Sequence, residues 1–348
     1  MRFLSTLIML IAGSLTSAAE PSRDESRPLF NGKDLSGWVN VNTHPKTFFV
    51  KDKEIITTGQ PTGFLRFDKQ FENFVMEFDW MHVEKTKMAN SGLFVWGDAL
   101  PGVGTPYTRG IEVQVLINFK PADGWATSHG DIFSIHGARC VPDRAHPKGI
   151  ERCLPSEDRV KGGGEWNHYK VTANDGVIKL EVNGKEVSGV SKCTPRKGYL
   201  ALESEGVECH FKNIMLKELP STNPKPEEIA TVARGHKLLF NGLDLAGWKS
   251  EKDSWKAGGG VLRAAGAIPI STDAKFGKVE IILDWKVSPK AEGDPSVTIG
   301  KETVTLKSKG KAGAWSRAVL TFDEGEGPLT ITPVAGLELM SVYGLELK

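Results

Sequence analysis

Apolar and polar residues alternate along short segments of the chain, a period of two that is typical of β-strands with one buried face. The clearest alternating segments are residues 74–80, 111–115 and 169–172, each bounded by Gly, Asn, Asp or Pro. Beyond residue 19, no window longer than about ten residues shows helical periodicity. The pattern therefore predicts an all-β protein built from two antiparallel β-sandwiches.

Two dipeptides with the composition of tight hairpin turns, Asp175-Gly176 and Asn183-Gly184, flank residues 177–182. Such turns need positive φ, which Asn and Gly accept at little cost. Residues 177–182 are therefore predicted to form a strand between two hairpin turns.

One decapeptide occurs twice: residues 29–38 read LFNGKDLSGW and residues 239–248 read LFNGLDLAGW, with eight identities in ten. The recurrence indicates that one supersecondary plan has been used twice. Each copy carries Asn-Gly-x-Asp, which offers oxygen ligands of the kind that bind calcium. Its recurrence favours instead a β-turn that positions the following Trp.

A segment of the first copy has no match in the second. Trp80 and Trp166 are 86 positions apart, whereas the matching Trp285 and Trp315 are 30 apart, a difference of 56. Because both cores should need similar strands, a segment carried by one copy is expected to serve a ligand or chemistry. This segment comprises roughly residues 88–160.

A proline-rich stretch separates the two copies and contains Pro220, Pro224 and Pro226 among Ser, Thr, Asn, Lys and Glu. This composition favours an extended, semi-rigid spacer. The sequence predicts a first domain at residues 28–218, a linker at 219–235 and a second, truncated domain at 236–348. The second domain offers no titratable cluster and is expected to be a structural or glycan-tethering appendage.

The amino terminus and the net charge indicate the compartment and the kind of partner to expect. Residues 1–19 combine a basic start, an apolar run and small residues, which is typical of a cleavable secretory signal. The apolar run is shorter than the roughly 20 residues of a membrane span, so we expect export to the periplasm or beyond, with no span after cleavage. A net charge of +1 over 348 residues gives no reason to expect a nucleic-acid partner.

All four cysteines, Cys140, Cys153, Cys193 and Cys209, lie in the first copy. An exported protein can keep disulfides, and four cysteines allow three connectivities. A Cys140–Cys153 bond would close a Pro-rich loop, and a Cys193–Cys209 bond would join two predicted neighbouring strands. A zinc site is the competing interpretation, although no C-x-x-C pair or finger-spaced His accompanies the cysteines.

Five motifs follow one another along domain one: LFNGKDLSGW at 29–38, ANSGLF at 89–94, GIEVQV at 110–115, GEWN at 164–167 and FKNI at 211–214. In this order they resemble the 3-keto-disaccharide hydrolase domain family, whereas domain two resembles a truncated copy. The resemblance implies a concanavalin-like jelly roll, mostly found in exported proteins of carbohydrate-degrading bacteria. It also implies a carbohydrate substrate, a glycoside whose glucose ring has been oxidised at C3.

The implied substrate dictates the side chains to look for. A ketone at C3 acidifies the C2 hydrogen, so a base can remove it and the enediolate can expel the C1 substituent before water adds back. Such an enzyme needs a base near C2, a group that holds the enediolate oxygen, and an acid for the leaving oxygen. A divalent metal ion could hold that oxygen, with Glu112 and His136 as possible ligands.

Glu112 and Gln114 are the first candidates, because they lie two apart on an alternating strand and should share one sheet face. The opposite face of that strand carries Ile111, Val113, Val115 and Ile117. An ordinary solvated strand face is the alternative, but the family motif favours catalysis by Glu112 and substrate binding by Gln114.

Two histidines follow in the unmatched segment. On a strand, His136 would share a face with Ile132 and Ser134, which makes it a candidate base or metal ligand. His129 and Asp131 are expected on a loop at the rim of the site, with His129 as a further catalytic candidate and Asp131 as a substrate ligand. A structural role is the alternative for each histidine.

Further candidates would bind substrate. Asn90 and Ser91 enter an apolar strand, where they could form an Asx-type turn or bond sugar hydroxyls. Arg109 could clamp the enediolate or pair with a carboxylate. The aromatic rings that could stack on a sugar are Trp96, Tyr107 and Trp125. The tryptophans that recur in both copies are predicted to be core instead: Trp38, Trp80, Trp166, Trp248, Trp285 and Trp315.

Three kinds of function are compatible with this sequence: a glycoside-cleaving hydrolase or lyase, a non-catalytic carbohydrate-binding (lectin-like) module, and a surface scaffold. Jelly rolls host lectins as readily as hydrolases, so the fold does not decide between them. Convergence of Glu112 and His136 with a third polar group in one pocket would favour the enzyme, which we expect. Aromatic rings on an open face would favour the binding module.

Overall fold

The computed structural model describes residues 25–117, 129–308, 311 and 313–348. These residues form antiparallel β-strands and a single 3-10 turn, Pro226–Glu228. Within this part of the chain, no helix is long and apolar enough to cross a membrane. The predicted all-β fold with two antiparallel sandwiches is confirmed.

The first sandwich is built from sixteen strands. In chain order they are β1 Arg27–Pro28, β2 Trp38–Val41, β3 Phe48–Lys51, β4 Glu54–Thr57, β5 Gly63–Phe71, β6 Phe74–His82, β7 Ala89–Gly97, β8 Gly110–Ile117, β9 Ile132–Ile135, β10 Arg139–Pro142, β11 Arg152–Cys153, β12 Asn167–Asn174, β13 Val177–Val182, β14 Lys185–Thr194, β15 Gly198–Ser204 and β16 Cys209–Glu218. A nine-stranded sheet has the order β10-β14-β13-β12-β6-β16-β4-β3, with β1 beside β16. A seven-stranded sheet, in the order β11-β9-β8-β7-β15-β5-β2, carries the other inner face. Neighbours distant in sequence, such as β7 and β15, are typical of a jelly roll.

The second sandwich is smaller. Its strands are β17 Lys237–Leu238, β18 Trp248–Lys249, β19 Trp255–Gly258, β20 Val261–Ala264, β21 Ile270–Phe276, β22 Val279–Lys286, β23 Ser296–Ile299, β24 Glu302–Thr305, β25 Ser316–Phe322, β26 Gly327–Thr332 and β27 Glu338–Glu346. One sheet has the order β19-β20-β27-β22-β25, with β17 beside β27, and the other has the order β18-β21-β26-β23-β24.

The strand orders of the two sandwiches correspond. The sheet β18-β21-β26-β23-β24 matches β2-β5-β15-β7-β8, and β19-β20-β27-β22-β25 matches β3-β4-β16-β6-β12. The first sandwich extends these shared sheets by β9 and β11 on one side and by β13, β14 and β10 on the other. The expectation that all of residues 88–160 is peculiar to the first copy is therefore wrong, because β7 and β8 have counterparts.

The hairpin prediction is confirmed in detail. β13 spans Val177–Val182 and pairs with β12 and β14. Both residues of each flanking turn have positive φ: +49° and +73° at Asp175 and Gly176, and +48° and +85° at Asn183 and Gly184. The turn residues therefore set the register of the hairpins, as their chemistry predicts.

The two copies of the decapeptide form the same turn. Asn31 Nδ2 donates to Asp34 Oδ1 at 2.8 Å, and Asn241 Nδ2 donates to Asp244 Oδ1 at 2.6 Å. The Asn oxygen in each copy accepts two backbone N–H groups of its own turn. These carboxylates and amides are occupied within the turn, which supports the β-turn interpretation over a calcium loop.

The tryptophan prediction is confirmed for four of the six recurring residues, since Trp38, Trp80, Trp248 and Trp285 are buried. It is wrong for Trp166 and Trp315, which are only half-buried. Each of these two rings lies beneath a lysine, with Lys212 Nζ 3.6 Å from the Trp166 centroid and Lys286 Nζ 4.9 Å from that of Trp315. Both rings are therefore partly accessible to solvent and contact a cation, whereas the other four lie in the cores.

The segment between the sandwiches is fastened to the first one and does not act as a free spacer. Thr222 N donates to Glu72 Oε1 at 2.6 Å, and Ala230 N donates to Lys197 O at 2.8 Å. An ion pair of 3.1 Å joins Arg196 to Glu228. These contacts fix the point from which the second sandwich begins.

The second sandwich covers an apolar part of the seven-stranded sheet. Ile282 and Tyr343 form a buried cluster with Phe64 and Phe94 of that sheet. The Tyr343 hydroxyl also donates to Asn42 Oδ1 at 2.5 Å. The two sandwiches therefore share a small hydrophobic core of their own.

A buried ion pair strengthens this contact. The Asp284 side chain is fully buried and accepts two hydrogen bonds from Arg317, at 2.7 and 2.9 Å, and one from Gly104 N at 3.0 Å. Arg317 also donates to Pro101 O at 2.9 Å. One carboxylate of the second sandwich thus holds the loop between β7 and β8 of the first.

The cysteine prediction is wrong in its pairings. Cys140, Cys153, Cys193 and Cys209 are all buried free thiols. Cys193 lies on β14 and Cys209 on β16, and the sheet places β13, β12 and β6 between these two strands. The two residues are therefore not on neighbouring strands, and the geometry for a bond between them is absent.

We expect the Arg317→Met substitution to lower the free energy of unfolding by about 3–5 kcal/mol, because it leaves the buried Asp284 carboxylate without its cation. Urea unfolding would measure the change. Arg139→Met is the matched control, since Arg139 is 76% exposed in its ion pair and its loss should cost less than about 1 kcal/mol. Equal effects of the two substitutions would contradict the structural role of the buried pair.

Candidate functional site

A cleft of about 240 Å³ opens over the seven-stranded sheet, on the part that the second sandwich leaves uncovered. Strands β7, β8, β9 and β15 supply most of its floor and walls. The lining residues are Met88, Asn90, Tyr107, Glu112, Gln114, Leu116, Phe133, Ile135, His136, Arg152, Glu203 and Glu205. The structure thus brings together Glu112, Gln114 and His136, as the sequence predicts.

Two glutamates meet at the floor of the cleft. Glu112 on β8 is 5% exposed and Glu203 on β15 is 1% exposed, and β7 lies between their strands. Gly92 of β7 separates the two side chains: a Cβ at this position would lie 2.9 Å from Glu112 Oε1 and 3.1 Å from Glu203 Oε2. The missing side chain of Gly92 is therefore what allows the carboxylates to approach each other.

Burial and mutual repulsion hold protons on this pair. The pKa of Glu112 is raised to about 8, mainly by burial and then by the charge of Glu205, while the charge of Arg152 lowers it. Burial also raises the pKa of Glu203 well above its ordinary value, and the charges of Glu112 and Glu205 and a side-chain hydrogen bond to Glu205 add to that shift. Burial and neighbouring negative charge therefore favour the protonated form of each acid.

No hydrogen-bond donor of the described residues reaches either carboxylate oxygen of Glu203. A buried carboxylate normally receives such donors when it is ionised. The environment of Glu203 therefore favours the protonated acid, which can donate a hydrogen bond to Glu205 or to a group in the cleft.

A hydrogen-bonded row forms one wall of the cleft. Gln114 Nε2 donates to Asn90 Oδ1 at 2.6 Å, and Asn90 Nδ2 in turn donates to Glu205 Oε2. The other oxygen of Glu205 accepts a hydrogen bond of 2.7 Å from the Tyr107 hydroxyl. Both oxygens of Glu205 are therefore held, which distinguishes this carboxylate from that of Glu203.

His136 stands at the rim of the cleft. It follows β9 with a φ of +49°, so its ring turns to the side of Phe133 and Ile135 and not to that of Ile132 and Ser134. The predicted face was wrong because the strand ends one residue earlier than the alternation suggests. The ring stacks on Tyr107 at 5.6 Å, with its Nε2 3.2 Å from the Thr105 hydroxyl. Partial burial lowers the pKa of His136, which favours the neutral imidazole.

A cation lines the opposite wall. Arg152 packs its guanidinium 3.6 Å from the centroid of the Phe133 ring and forms an ion pair of 2.7 Å with Asp131. Asp131 is fully buried, and burial raises its pKa to about 7 against the lowering effect of Arg152. Asp131 therefore positions Arg152 from behind the wall. The prediction that Asp131 lies at the rim of the site and binds substrate is wrong in its position, because the residue is fully buried and does not line the cleft.

Several other predicted residues lie away from the cleft. Ser91 is buried and donates to Glu203 O at 2.8 Å, so it ties β7 to β15. Trp96 is fully buried in the core, with its Nε1 donating to Glu72 O. Trp125 lies outside the described residues. The positions of Ser91 and Trp96 show that proximity in sequence to a motif does not give access to the cleft.

Arg109 and His129 also lie elsewhere. Arg109 forms a bidentate ion pair with Asp98, at 2.8 and 2.9 Å, and faces a separate groove. His129 is buried, with its Nδ1 3.1 Å from Asp158 Oδ1, and it does not line the cleft. Of the two predicted histidines, only His136 reaches the cleft.

Glu203, Glu205 and Arg152 are residues that the sequence did not single out. A signal existed for the two glutamates, because they lie two apart at the end of an alternating strand, the same spacing as that of Glu112 and Gln114. They were missed because they fall outside the segment that lacks a match in the second copy.

The second sandwich has different residues at the positions of the two carboxylates. Leu93 of β7 pairs with Val113 and Leu202, as Val297 of β23 pairs with Val304 and Ile331. By this register, Thr303 and Thr332 occupy the places of Glu112 and Glu203. The paired acids are thus a property of the first sandwich.

A metal ion would need more protein ligands than the cleft brings together. Across the described residues, no set of three or more His, Cys, Asp or Glu side chains is arranged to hold a metal ion. Glu112 and His136 alone would leave most coordination positions to water or substrate. The metal ion therefore stays a hypothesis based on the sequence.

Residues 25–217 match the model of the 3-keto-alpha-glucoside-1,2-lyase-like domain, which is more than half of the chain. The chain belongs to this family. No curated protein matches the chain.

Similar folds occur among solved structures. A candidate glycosyl hydrolase from Parabacteroides distasonis ATCC 8503 has 22% identity over 56% of this chain and 94% of its own, with a TM-score of 0.42. The carbohydrate binding module CBM66 from Bacillus subtilis has 14% identity over 52% of this chain and 96% of its own, with a TM-score of 0.39.

We expect Glu203→Gln to flatten the pH dependence of folding. The pKa of Glu203 is raised in the folded state, so above its ordinary value of 4.5 folding takes up a proton and stability falls as pH rises. The amide removes this loss, which amounts to at most about 1.4 kcal/mol per pH unit. Urea unfolding at about pH 5, 7 and 9 would measure both slopes. Identical slopes for the variant and the native protein would contradict the raised pKa of Glu203, and exposed Glu186→Gln is the control.

Proposed function

We propose that the protein is an exported enzyme that cleaves 3-keto-glucosides, including 3-keto-disaccharides, by elimination across C1 and C2 followed by hydration. Family membership supports the substrate class, and the secretory pattern of residues 1–19 supports export to the periplasm or beyond. The observation that carries the proposal is the buried pair Glu112 and Glu203, which meet over Gly92 in the cleft. The cleft is smaller than the pockets that hold drug-sized ligands, which suits a single sugar ring.

Proton abstraction is assigned to Glu112. Its raised pKa makes the ionised carboxylate a stronger base than an exposed one, and closer to the operating pH. When Glu112 takes the C2 proton, the electron pair of the C2–H bond forms the C2–C3 double bond and the negative charge moves to O3. Arg152 supplies positive charge beside this enediolate, from a position that Asp131 fixes.

Glu203 is assigned as the acid. Collapse of the enediolate restores the C3 ketone, forms the C1–C2 double bond and breaks the bond from C1 to the leaving oxygen. Protonated Glu203 gives its proton to that oxygen. Water then adds its hydroxyl to C1, its proton restores the acid form of Glu203, and Glu112 returns the abstracted proton to C2, which completes net hydrolysis. The network of Gln114, Asn90, Glu205 and Tyr107 offers hydrogen bonds to the sugar hydroxyls.

A carbohydrate-binding module is the competing function, and it would depend on aromatic rings over an open face. Of the aromatic candidates within the described residues, Trp96 faces the core and the Tyr107 ring is stacked on His136. A pair of buried carboxyl groups with raised pKa values is typical of active sites and costly in a simple lectin. These features favour the enzyme.

We expect Glu112→Gln to reduce cleavage of a 3-keto-glucoside by about 10²–10⁴-fold, because the amide cannot accept the C2 proton. The measurement is release of the leaving group, with the unoxidised glucoside as substrate control and with and without a chelator. Glu186→Gln, on the exposed surface, is the matched variant and should keep full activity.

The thermal unfolding temperature of Glu112→Gln should stay near or above that of the native protein, since an unfavourable buried acid is removed. Full activity of this variant would remove Glu112 from the mechanism. Turnover of neither glucoside by the native protein would favour the binding module instead.

We expect Gly92→Ala to lower kcat/KM by about 100-fold, because its Cβ would displace the Glu112 and Glu203 carboxylates from their mutual geometry. Gly266→Ala is the control, since nothing lies within 4 Å of a Cβ at that position. Unchanged kcat/KM in Gly92→Ala, measured on the same 3-keto-glucoside, would show that the approach of the two carboxylates is not needed for cleavage.

A further inference from the structure

A groove of about 450 Å³ lies between the two sandwiches, next to the cleft. The loop of residues 98–103 and linker residues 231–234 form one side, and Ile282 and Val319 of the second sandwich form the other. His136 lines both the groove and the cleft, so the two spaces adjoin at this residue. A ligand longer than one sugar ring can therefore extend from the cleft into the groove.

Arginines dominate the polar lining of this groove. Three of the four have a carboxylate partner: Arg109 with Asp98, Arg234 with Glu280, and Arg317 with Asp284. The fourth, Arg66, differs in this respect. The groove thus holds four cations against three partner anions, an excess of one positive charge.

Arg66 lies on β5 and is only 8% exposed. Its Nη1 donates to Phe67 O at 3.2 Å, and its guanidinium lies 4.5 Å from the centroid of the Tyr199 ring. Its buried Nε has no hydrogen-bond partner, and among the described residues the carboxylate of Asp68 acts on it through its charge, without an ion pair. A buried guanidinium without a carboxylate in contact is costly, and a bound anion would offset that cost.

The remaining walls of the groove are apolar. Leu100, Val232, Ile282 and Val319 line it, and Val232 and Val319 are 59% and 57% exposed. Exposed apolar side chains beside an uncompensated cation fit a ligand that is itself apolar and carries one negative charge.

We propose that the groove between the sandwiches binds the leaving-group side of the glycoside, and that Arg66 pairs with a carboxylate on an apolar aglycone. This inference rests on the proposed function, since it takes the sugar ring to occupy the cleft. The second sandwich is then a wall of the substrate site and not a structural appendage. The ion pair between Arg66 and the carboxylate of the aglycone determines which leaving groups the enzyme prefers.

The test compares two 3-keto-glucosides with isosteric leaving groups, 4-hydroxyphenylacetate and 4-hydroxyphenylacetamide. We expect the native protein to favour the anionic substrate by about tenfold in kcat/KM, because a charge-assisted pair is stronger than a neutral hydrogen bond. Arg66→Met should bring the ratio close to one. Lys185→Met removes a surface cation that is 56% exposed and should leave the ratio unchanged.

A second variant and a binding measurement cover the other outcomes. Val319→Glu places a negative charge on the exposed wall of the groove and should also lower the ratio. This variant tests the anion site independently if Arg66→Met does not fold. Calorimetry with free 4-hydroxyphenylacetate should show binding to the native protein that Arg66→Met loses and Lys185→Met keeps.

Equal cleavage of both substrates, without binding of the free acid, would overturn the anion site and leave the proposed function standing. Cleavage of neither substrate would overturn the proposed function and the leaving-group assignment together. In that case, binding of the acid that depends on Arg66 would still establish the groove as an anion site.

Discussion

The site depends on one contact, the approach of two buried glutamates across a glycine. Both carboxyl groups are almost completely buried and approach the same glycine, so burial and neighbouring negative charge raise their pKa values. The jelly roll makes this arrangement possible, since it places β8 and β15 on either side of β7 and joins all three strands by antiparallel pairing. The free energy that the acids cost is offset by the apolar face of the same strands, which fills the core.

The second sandwich changes how the same sheet is used. It covers an apolar part with Ile282 and Tyr343 and leaves the acidic part open, so one sheet face is divided between domain contact and cleft. The buried pair of Asp284 and Arg317 fixes this division, because it holds the loop that leads into β8. The position of the second sandwich is therefore coupled to the shape of the cleft, although its own sheet carries no comparable acids at the matching places.

Sequence reasoning predicted the parts of this structure that local periodicity controls. The alternation around Glu112 and Gln114 gave their shared face, and the turn residues gave the hairpins that flank residues 177–182. It failed where a few backbone angles or pairing with a strand distant in sequence determine the direction of a side chain. His136 has a positive φ that reverses its face, and Glu203 reaches the cleft only because β15 pairs with β7 from more than one hundred positions away.

The failure at Glu203 also bears on how the site arose. The sequence comparison assumed that chemistry resides in whatever the second copy lacks, yet Glu112 and Glu203 lie on strands that both sandwiches possess. At those places the second sandwich has Thr303 and Thr332, side chains that neither share protons nor repel each other. The segment peculiar to the first sandwich contributes Arg152 and His136, which surround the acids. Substitution on shared strands therefore supplies the acids, and the added strands supply the cation and the rim that adapt them to a ligand.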